Sequence, residues 1–298
     1  MSAPEISAKV VMQLRAATGL PMMKCKEALE ACGGDFEKSV EWLRKKGLET
    51  AAKKADRAMK EGRVALKSSP DGKSAVMVEL SCETEPVKEG PDFKALGEKV
   101  LAAAWAHLGG KAPGEVALAD ALAWTAGGET LDTTIKTLVA KIGENMALRR
   151  VAALAGGRVA TYVHFNGKVG VIAELAGPDA ALASADAKTF GDDLCMHIAA
   201  FKPAAVSRDE IGKDLVDKEM EIYREQAKQD PKLSSKPPAV LEKILVGKLD
   251  GFFRERALLE QAWAKDGTQT VKAVLDATSK KAGGAIAVRR YVLFQVGV

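Results

Sequence analysis

Three histidines and four cysteines are the side chains of this 298-residue sequence with the widest reach in nucleophilic, acid–base or metal chemistry. Their spacing supports little of it. His107, His164 and His197 show no H-x-x-x-H pattern, and Cys25, Cys32, Cys82 and Cys195 contain no C-x-x-C pair, so neither a zinc centre nor a disulfide framework is signalled. Cys195 and His197 are the best nucleophile–base candidates. Residues two apart on a helix point in different directions, however, and the pair reads as a buried thiol and a helix-end imidazole. The sequence has no G-x-x-x-x-G-K-S/T loop and no G-x-G-x-x-G turn, so no direct nucleotide binding is expected. The expectation is a binding protein with no cofactor and no catalytic residue of its own.

Composition points the same way. Forty-four basic against 40 acidic residues leave a charge of +4, too little for a nucleic-acid scaffold that must neutralise many phosphates. The start, Met1 to Leu14, interrupts its apolar residues with Glu5, Lys9 and Gln13, which argues against a secretory or membrane-spanning segment. A cytoplasmic protein whose partner is another protein is the resulting expectation. Aromatics make up 5% of residues, so the cores must be assembled largely from aliphatic groups on helices and narrow sheets.

The elements follow from capping and periodicity. Ser7 is placed to cap a first helix with Val10, Val11 and Leu14 on its apolar stripe, stopped at Gly19-Leu20-Pro21. Met22 to Ala31 forms a second helix, and Asp35 caps a third that carries Phe36, Val40 and Leu43 and has Gly47 beyond its end. Ala51 to Glu61 reads as an exposed helical linker. Beyond it the sequence repeats itself at an offset of 95 positions: Gly62-Arg63-Val64-Ala65 returns as Gly157-Arg158-Val159-Ala160, Gly72-Lys73 as Gly167-Lys168, and Glu79-Leu80 as Glu174-Leu175. Each copy reads as a β-hairpin around Gly-Lys followed by a helical segment, Phe93 to His107 and Ala185 to Phe201. Glu79 and Glu174, the symmetric carboxylates, read as solvent-facing strand residues. Between the copies, Leu131 to Leu154 has helical spacing. Asp209 to Arg256 reads as a helical hairpin broken at Asp230-Pro231 and Lys236-Pro237-Pro238. Its stripes are Ile211, Leu215, Ile222 and Tyr223 on the first helix and Leu241, Ile244, Leu245, Leu249, Phe252 and Phe253 on the second. The terminal run Ile286 to Val296 is β-rich.

The predicted class is therefore α+β: a three-helix bundle over residues 1–48, a linker over 49–61, core subdomains over 62–150 and 151–208, a helical-hairpin arm over 209–258, and a segment over 259–298 that returns a strand to the core.

Several blocks in this order resemble translation elongation factor Ts. They are LRAATGLPMMKCKEALEACGGDFEKSVEWLRKKG (Leu14 to Gly47), VELSCETEPV (Val78 to Val87), KIGENMALRRVAAL (Lys141 to Leu154), MHIAAFKP with VSRDE (Met196 to Glu210), and KPPAVLEKILVGKLDGFFRERALLEQ (Lys236 to Gln261). The resemblance implies a ubiquitin-associated-like amino-terminal bundle, a coiled-coil arm, and a guanine-nucleotide exchange factor that binds elongation factor Tu in its GDP-bound and nucleotide-free forms. It implies partner contacts at Met22 and Met23, with packing inside the bundle as the alternative. His197, on a core helix, is implied either as a contact or as a structural residue. The family's magnesium-displacing motif, Thr-Asp-Phe-Val, falls on Thr84, Glu85, Pro86 and Val87. Glu85 keeps a carboxylate there, while Pro86 replaces the aromatic wedge with a smaller ring of fixed φ. That departure keeps a second reading open, an elongation factor Tu-binding paralogue with weak exchange. Phe93 falls at the start of the next helix, where a core position is expected.

Overall fold

The repeated glycines mark places where two strands come too close for a side chain. A Cβ on Gly62 would lie 2.1 Å from the Leu80 carbonyl oxygen, and one on Gly157 would lie 2.8 Å from the equivalent oxygen of Leu175. Gly72 and Gly167 take the left-handed conformation, φ 67° and 69°, that the two hairpin turns require. In a computed structural model that describes residues 6–297, the duplicated segments accordingly form two like hairpins. The sequence reading of residues 1–5 and of Val298 lies outside the described residues.

The chain opens with α1 (Ala8–Thr18), α2 (Met22–Ala31) and α3 (Phe36–Ala52). Ser7 and Asp35 cap the first and third, and Leu14, Cys25, Leu29 and Leu43 form their shared core. The third helix does not stop at Gly47. It runs on to Ala52, because Gly47 serves a close crossing: a Cβ there would meet the Cβ of Ala140 at 3.0 Å. The linker is not helical beyond Ala52 either. Asn145 Nδ2 donates to the carbonyls of Ala55 and Arg57 at 3.1 and 3.0 Å, taking acceptors that a continuing helix would have used.

The first half then contains β1 (Glu61–Ser68), β2 (Ser74–Cys82), α4 (Glu85–Glu89), α5 (Pro91–Leu108), β3 (Gly114–Glu115), α6 (Leu118–Ala123), β4 (Thr125–Ala126), β5 (Glu129–Thr130), α7 (Leu131–Ile142) and β6 (Met146–Ala155). The helix expected from Leu131 to Leu154 is thus half strand. Gly143 ends α7 in the left-handed conformation, and Met146–Ala155 pairs antiparallel with β2. Helical spacing alone did not separate the two, since a buried strand is apolar on both faces. The second half contains β7 (Arg158–Val163), β8 (Val169–Ala176), α8 (Asp179–Leu182) and α9 (Ala185–Phe201). The arm is α10 (Lys213–Gln229), α11 (Pro231–Ser234) and α12 (Pro238–Arg256), and the chain closes with β9 (Ala262–Trp263), β10 (Asp266–Thr270), α13 (Val271–Lys281) and β11 (Ala287–Gln295).

Besides two-stranded β4-β5 and β9-β10 pairs, the described residues form two larger sheets, ordered β1-β2-β6-β3 and β11-β8-β7. They pack face to face through Val64, Met77, Leu154, Ile172 and Phe294. Helices α5 and α7 cover the outer face of the first sheet, and α9 and α13 that of the second. Sandwiched between both layers, β2 is buried at every residue. In the arm, Val216, Met220, Tyr223 and Ala227 face inward, while the expected stripe residues Leu215 and Ile222 are exposed. No helix among the described residues is long and apolar enough to cross a membrane.

Glu79 and Glu174 are buried, contrary to the solvent-facing reading. Each accepts an arginine from the third strand of its own sheet: Arg150 Nε lies 2.8 Å from Glu79, and Arg290 Nε lies 2.7 Å from Glu174, which also takes Arg289 at 3.1 Å. The unlike charges one strand away were not visible in the local pattern. Arg150 continues across the sandwich to the carbonyl of Gln295 at 3.2 Å and stacks on Phe294, so it bridges the two halves.

Candidate functional site

The four residues Thr84 to Val87 begin where β2 leaves the sheet. They form the first turn of α4 rather than an irregular loop, with Thr84 at its N-cap and Pro86 in the first turn, where a missing N–H costs nothing. Both sides of the turn are anchored. On one side the Thr84 hydroxyl donates to the Glu144 carboxylate at 2.9 Å, and the Asn145 amide donates to Glu83 Oε1 at 2.6 Å. The Cys82 thiol donates to the Thr84 carbonyl at 3.4 Å; burial, with Glu144 and Glu61 adding to it, pushes that thiol up to about 12 and leaves it unreactive.

On the other side Lys88, 3% exposed, reaches Glu85 at 3.1 Å, Glu61 at 3.4 Å and Glu89 at 3.7 Å. Burial works against its ammonium, yet the carboxylates of Glu85 and Glu61 more than offset this and raise it above the ordinary lysine range. Val87 packs on the helical core, whereas Glu85 and Pro86 stand in solvent. Phe93 is buried in that same core, as expected.

The end of α7 ties this turn to the amino-terminal bundle. Glu144 holds Thr84, and Lys141 pairs with Asp92 at 2.7 Å and passes over Gly19 where a Cβ would meet its Cε at 3.4 Å. Lys24 donates to the Ala140 carbonyl at 3.2 Å. Met22 and Met23, which follow the Gly19 turn, are 39% and 73% exposed, so neither belongs to the bundle core; Leu14 does, at 0%. Two adjacent flexible, polarizable and apolar side chains on a helix start suit a protein contact.

His197 does not offer a surface contact. It is fully buried, stacked between Phe201 and Trp263 with ring centroids at 4.7 and 5.4 Å. Its Nε2 pairs with Gln261 Oε1 at 2.9 Å, and its Nδ1 accepts the Ala264 amide at 3.2 Å, which fixes the neutral Nε2–H tautomer. Burial depresses its pKa, opposed by the Gln261 hydrogen bond. Cys195, buried on the same helix, is pushed up by burial and is no nucleophile.

A residue that sequence reading passed over is Phe165, 90% exposed at the β7–β8 turn. Its ring lies tilted against that of His164, with centroids 4.4 Å apart, and His164 Nδ1 meets the Tyr162 hydroxyl at 2.7 Å. The signal was present: an aromatic directly before Asn166-Gly167, at a turn position where burial is not available.

The elongation factor Ts family matches residues 83–298, a stretch that contains the Thr84 turn and all of the second half. The chain belongs to the elongation factor Ts family. Curated relatives extend the likeness through the amino-terminal bundle. The elongation factor Ts of Prosthecochloris aestuarii is 38% identical over 98% of this chain and 99% of its own length. That of Nitratidesulfovibrio vulgaris is 41% identical over 98% and 96%, and that of Clostridium botulinum 39% identical over 98% and 93%. Elongation factor Ts proteins are translation elongation factors, so the exposed turn, the methionine pair and the Phe165 tip are surfaces of a protein of that process.

Proposed function

We propose that this chain is the guanine-nucleotide exchange factor for elongation factor Tu: it binds the GDP form, promotes loss of Mg²⁺ and GDP, and is displaced by GTP. It acts by binding alone, with no bond made or broken on its own residues, in the cytoplasm. The observation that carries the reading is the Thr84–Val87 turn, exposed at Glu85 and Pro86 yet anchored at both sides by Glu144 and Lys88. An exchange factor has to favour a partner conformation in which phosphate and magnesium contacts are poorly made. A fixed protrusion can do this because the partner, not the protrusion, must yield. Met22 and Met23 supply a second contact on the partner's nucleotide domain, and Phe165 a third point on the opposite half.

Linkage makes the reading testable. If the chain weakens GDP binding by some factor, GDP weakens binding of the chain by the same factor. Titration of the chain into elongation factor Tu at rising GDP should show affinity falling in step with nucleotide occupancy. An affinity indifferent to GDP would remove the exchange reading and leave simple docking. One observation favours that second reading: Pro86 offers a smaller ring than the aromatic of the family motif, at the position where a wedge would act.

A further inference from the structure

The two elements nearest the proposed partner surface belong to different halves of the core, and one carboxylate joins them. Glu61 lies at the start of β1, opposite Cys82 in the register, immediately below the turn that begins at Thr84. Its Oε1 accepts Lys168 from the β7–β8 turn at 2.7 Å, and its Oε2 faces Lys88 of α4 at 3.4 Å. Among the described residues Oε2 is shielded from solvent and makes no hydrogen bond, and the Lys88 ammonium compensates its charge. Lys88 passes the link on to Glu85 beside Pro86. At the other end, the turn that carries Phe165 is held by its backbone: Val64 N donates to the Gly167 carbonyl at 2.7 Å, and Val296 N to the Lys168 carbonyl at 2.9 Å.

We infer that Glu61 is a positioning residue that fixes the spacing and orientation of the Glu85–Pro86 turn relative to the His164–Phe165 tip. An ion pair in solvent would contribute little to such a link. A carboxylate shared by two lysines, one of them buried, is different: if α4 shifts, the buried Lys88 ammonium and Glu61 Oε2 lose each other in a dry setting, while the partly exposed Lys168 holds the same carboxylate from the tip. Two contacts held at one spacing engage a rigid partner without the ordering cost that independent elements would incur. The role in exchange rests on the function proposed above, whereas the mechanical link does not.

Two variants cut the link from different sides: Glu61→Gln removes the shared charge, and Lys168→Met removes the side-chain tie to the tip while leaving the tip's backbone bonds to Val64 and Val296, and the Glu61–Lys88 pair, in place. Spin labels at Pro86→Cys and Phe165→Cys, in a Cys32→Ser background of the full chain, report the distance between the two elements. A single narrow distance is expected for the chain with Glu61 and Lys168 in place, and a broadened one in both variants. In GDP release from elongation factor Tu, the variants without labels should lower the maximal rate by about tenfold while the half-saturating concentration changes by less than about twofold. A general loss of folding would instead lower the active fraction and leave the distance unmeasurable in Glu61→Gln but not in Lys168→Met. If the distance distribution stays narrow in Lys168→Met and in any folded Glu61→Gln, the inference is overturned. If the unaltered chain fails to release GDP at all, the proposed function falls, and the distance measurement alone still decides the role of Glu61.

Discussion

Replacing Pro86 by phenylalanine should strengthen the interaction with elongation factor Tu. Pro86 is exposed in the first turn of α4, and the anchoring contacts of that turn come from Thr84 and Lys88 on either side of it. A larger ring therefore enters solvent, or the partner, without displacing a neighbour. A buried aromatic covers on the order of 150 to 250 Å². If proline supplies roughly half of that, the gain is about 2 kcal/mol at ~25 cal/mol/Å², or about thirtyfold in affinity. The cost to the chain itself is small, about 0.4 to 1 kcal/mol, because the proline no longer restricts the unfolded state. Calorimetric titration of both forms into nucleotide-free elongation factor Tu measures the gain, and thermal unfolding measures the cost. A change in affinity below about threefold, with both forms folded, would show that the ring at position 86 meets nothing in the complex, and the wedge argument would fail.

The remaining expectations concern the other corners of the structure. Met22→Ser with Met23→Ser should weaken binding to elongation factor Tu by about 1 to 2 kcal/mol, with the melting temperature unchanged because neither side chain is in the bundle core; a lowered melting temperature in place of weakened binding would return them to a packing role. His197 is held neutral, with a folded pKa below that of the unfolded chain. Its contribution to stability is complete above about pH 6.5 and is lost as pH falls toward the folded value, at up to about 1.4 kcal/mol per pH unit. Urea unfolding at pH 7.5 and 5.5 should show that loss, and His197→Phe should remove its share of the pH dependence while carrying a constant penalty for the unpaired Gln261. Glu174 accepts two arginines and Glu79 one, so Glu174→Gln should destabilise the fold by about 2 to 3 kcal/mol and Glu79→Gln by about 1 to 2; equal values would mean that the second arginine contributes nothing.

Much of the architecture could be read from residues that act locally. Ser7, Asp35, Gly19 and Pro21 set the amino-terminal helices, and the 95-residue offset exposed the two hairpins because backbone approach at Gly62 and Gly157 tolerates no substitution by a larger residue. Features decided by distant partners were not legible. Met146–Ala155 is a strand because β2 is there to pair with it, and Gly47 is mid-helix because α7 crosses at Ala140. His197 is buried by Trp263, 66 positions onward, and Glu79 by Arg150. The candidate site divides in the same way. The Thr84–Val87 motif was visible through its likeness to a family, whereas its anchors, Glu144 and the Glu61–Lys88–Lys168 cluster, come from segments whose proximity only the folded chain creates.

The central claim is that this member of the elongation factor Ts family drives nucleotide exchange on elongation factor Tu. Stopped-flow release of a fluorescent GDP from elongation factor Tu, with the unaltered chain at saturating concentration, tests it most directly. The account predicts a release rate that rises with the chain's concentration to a plateau well above the spontaneous rate. A chain that binds elongation factor Tu while GDP leaves at its spontaneous rate would contradict it.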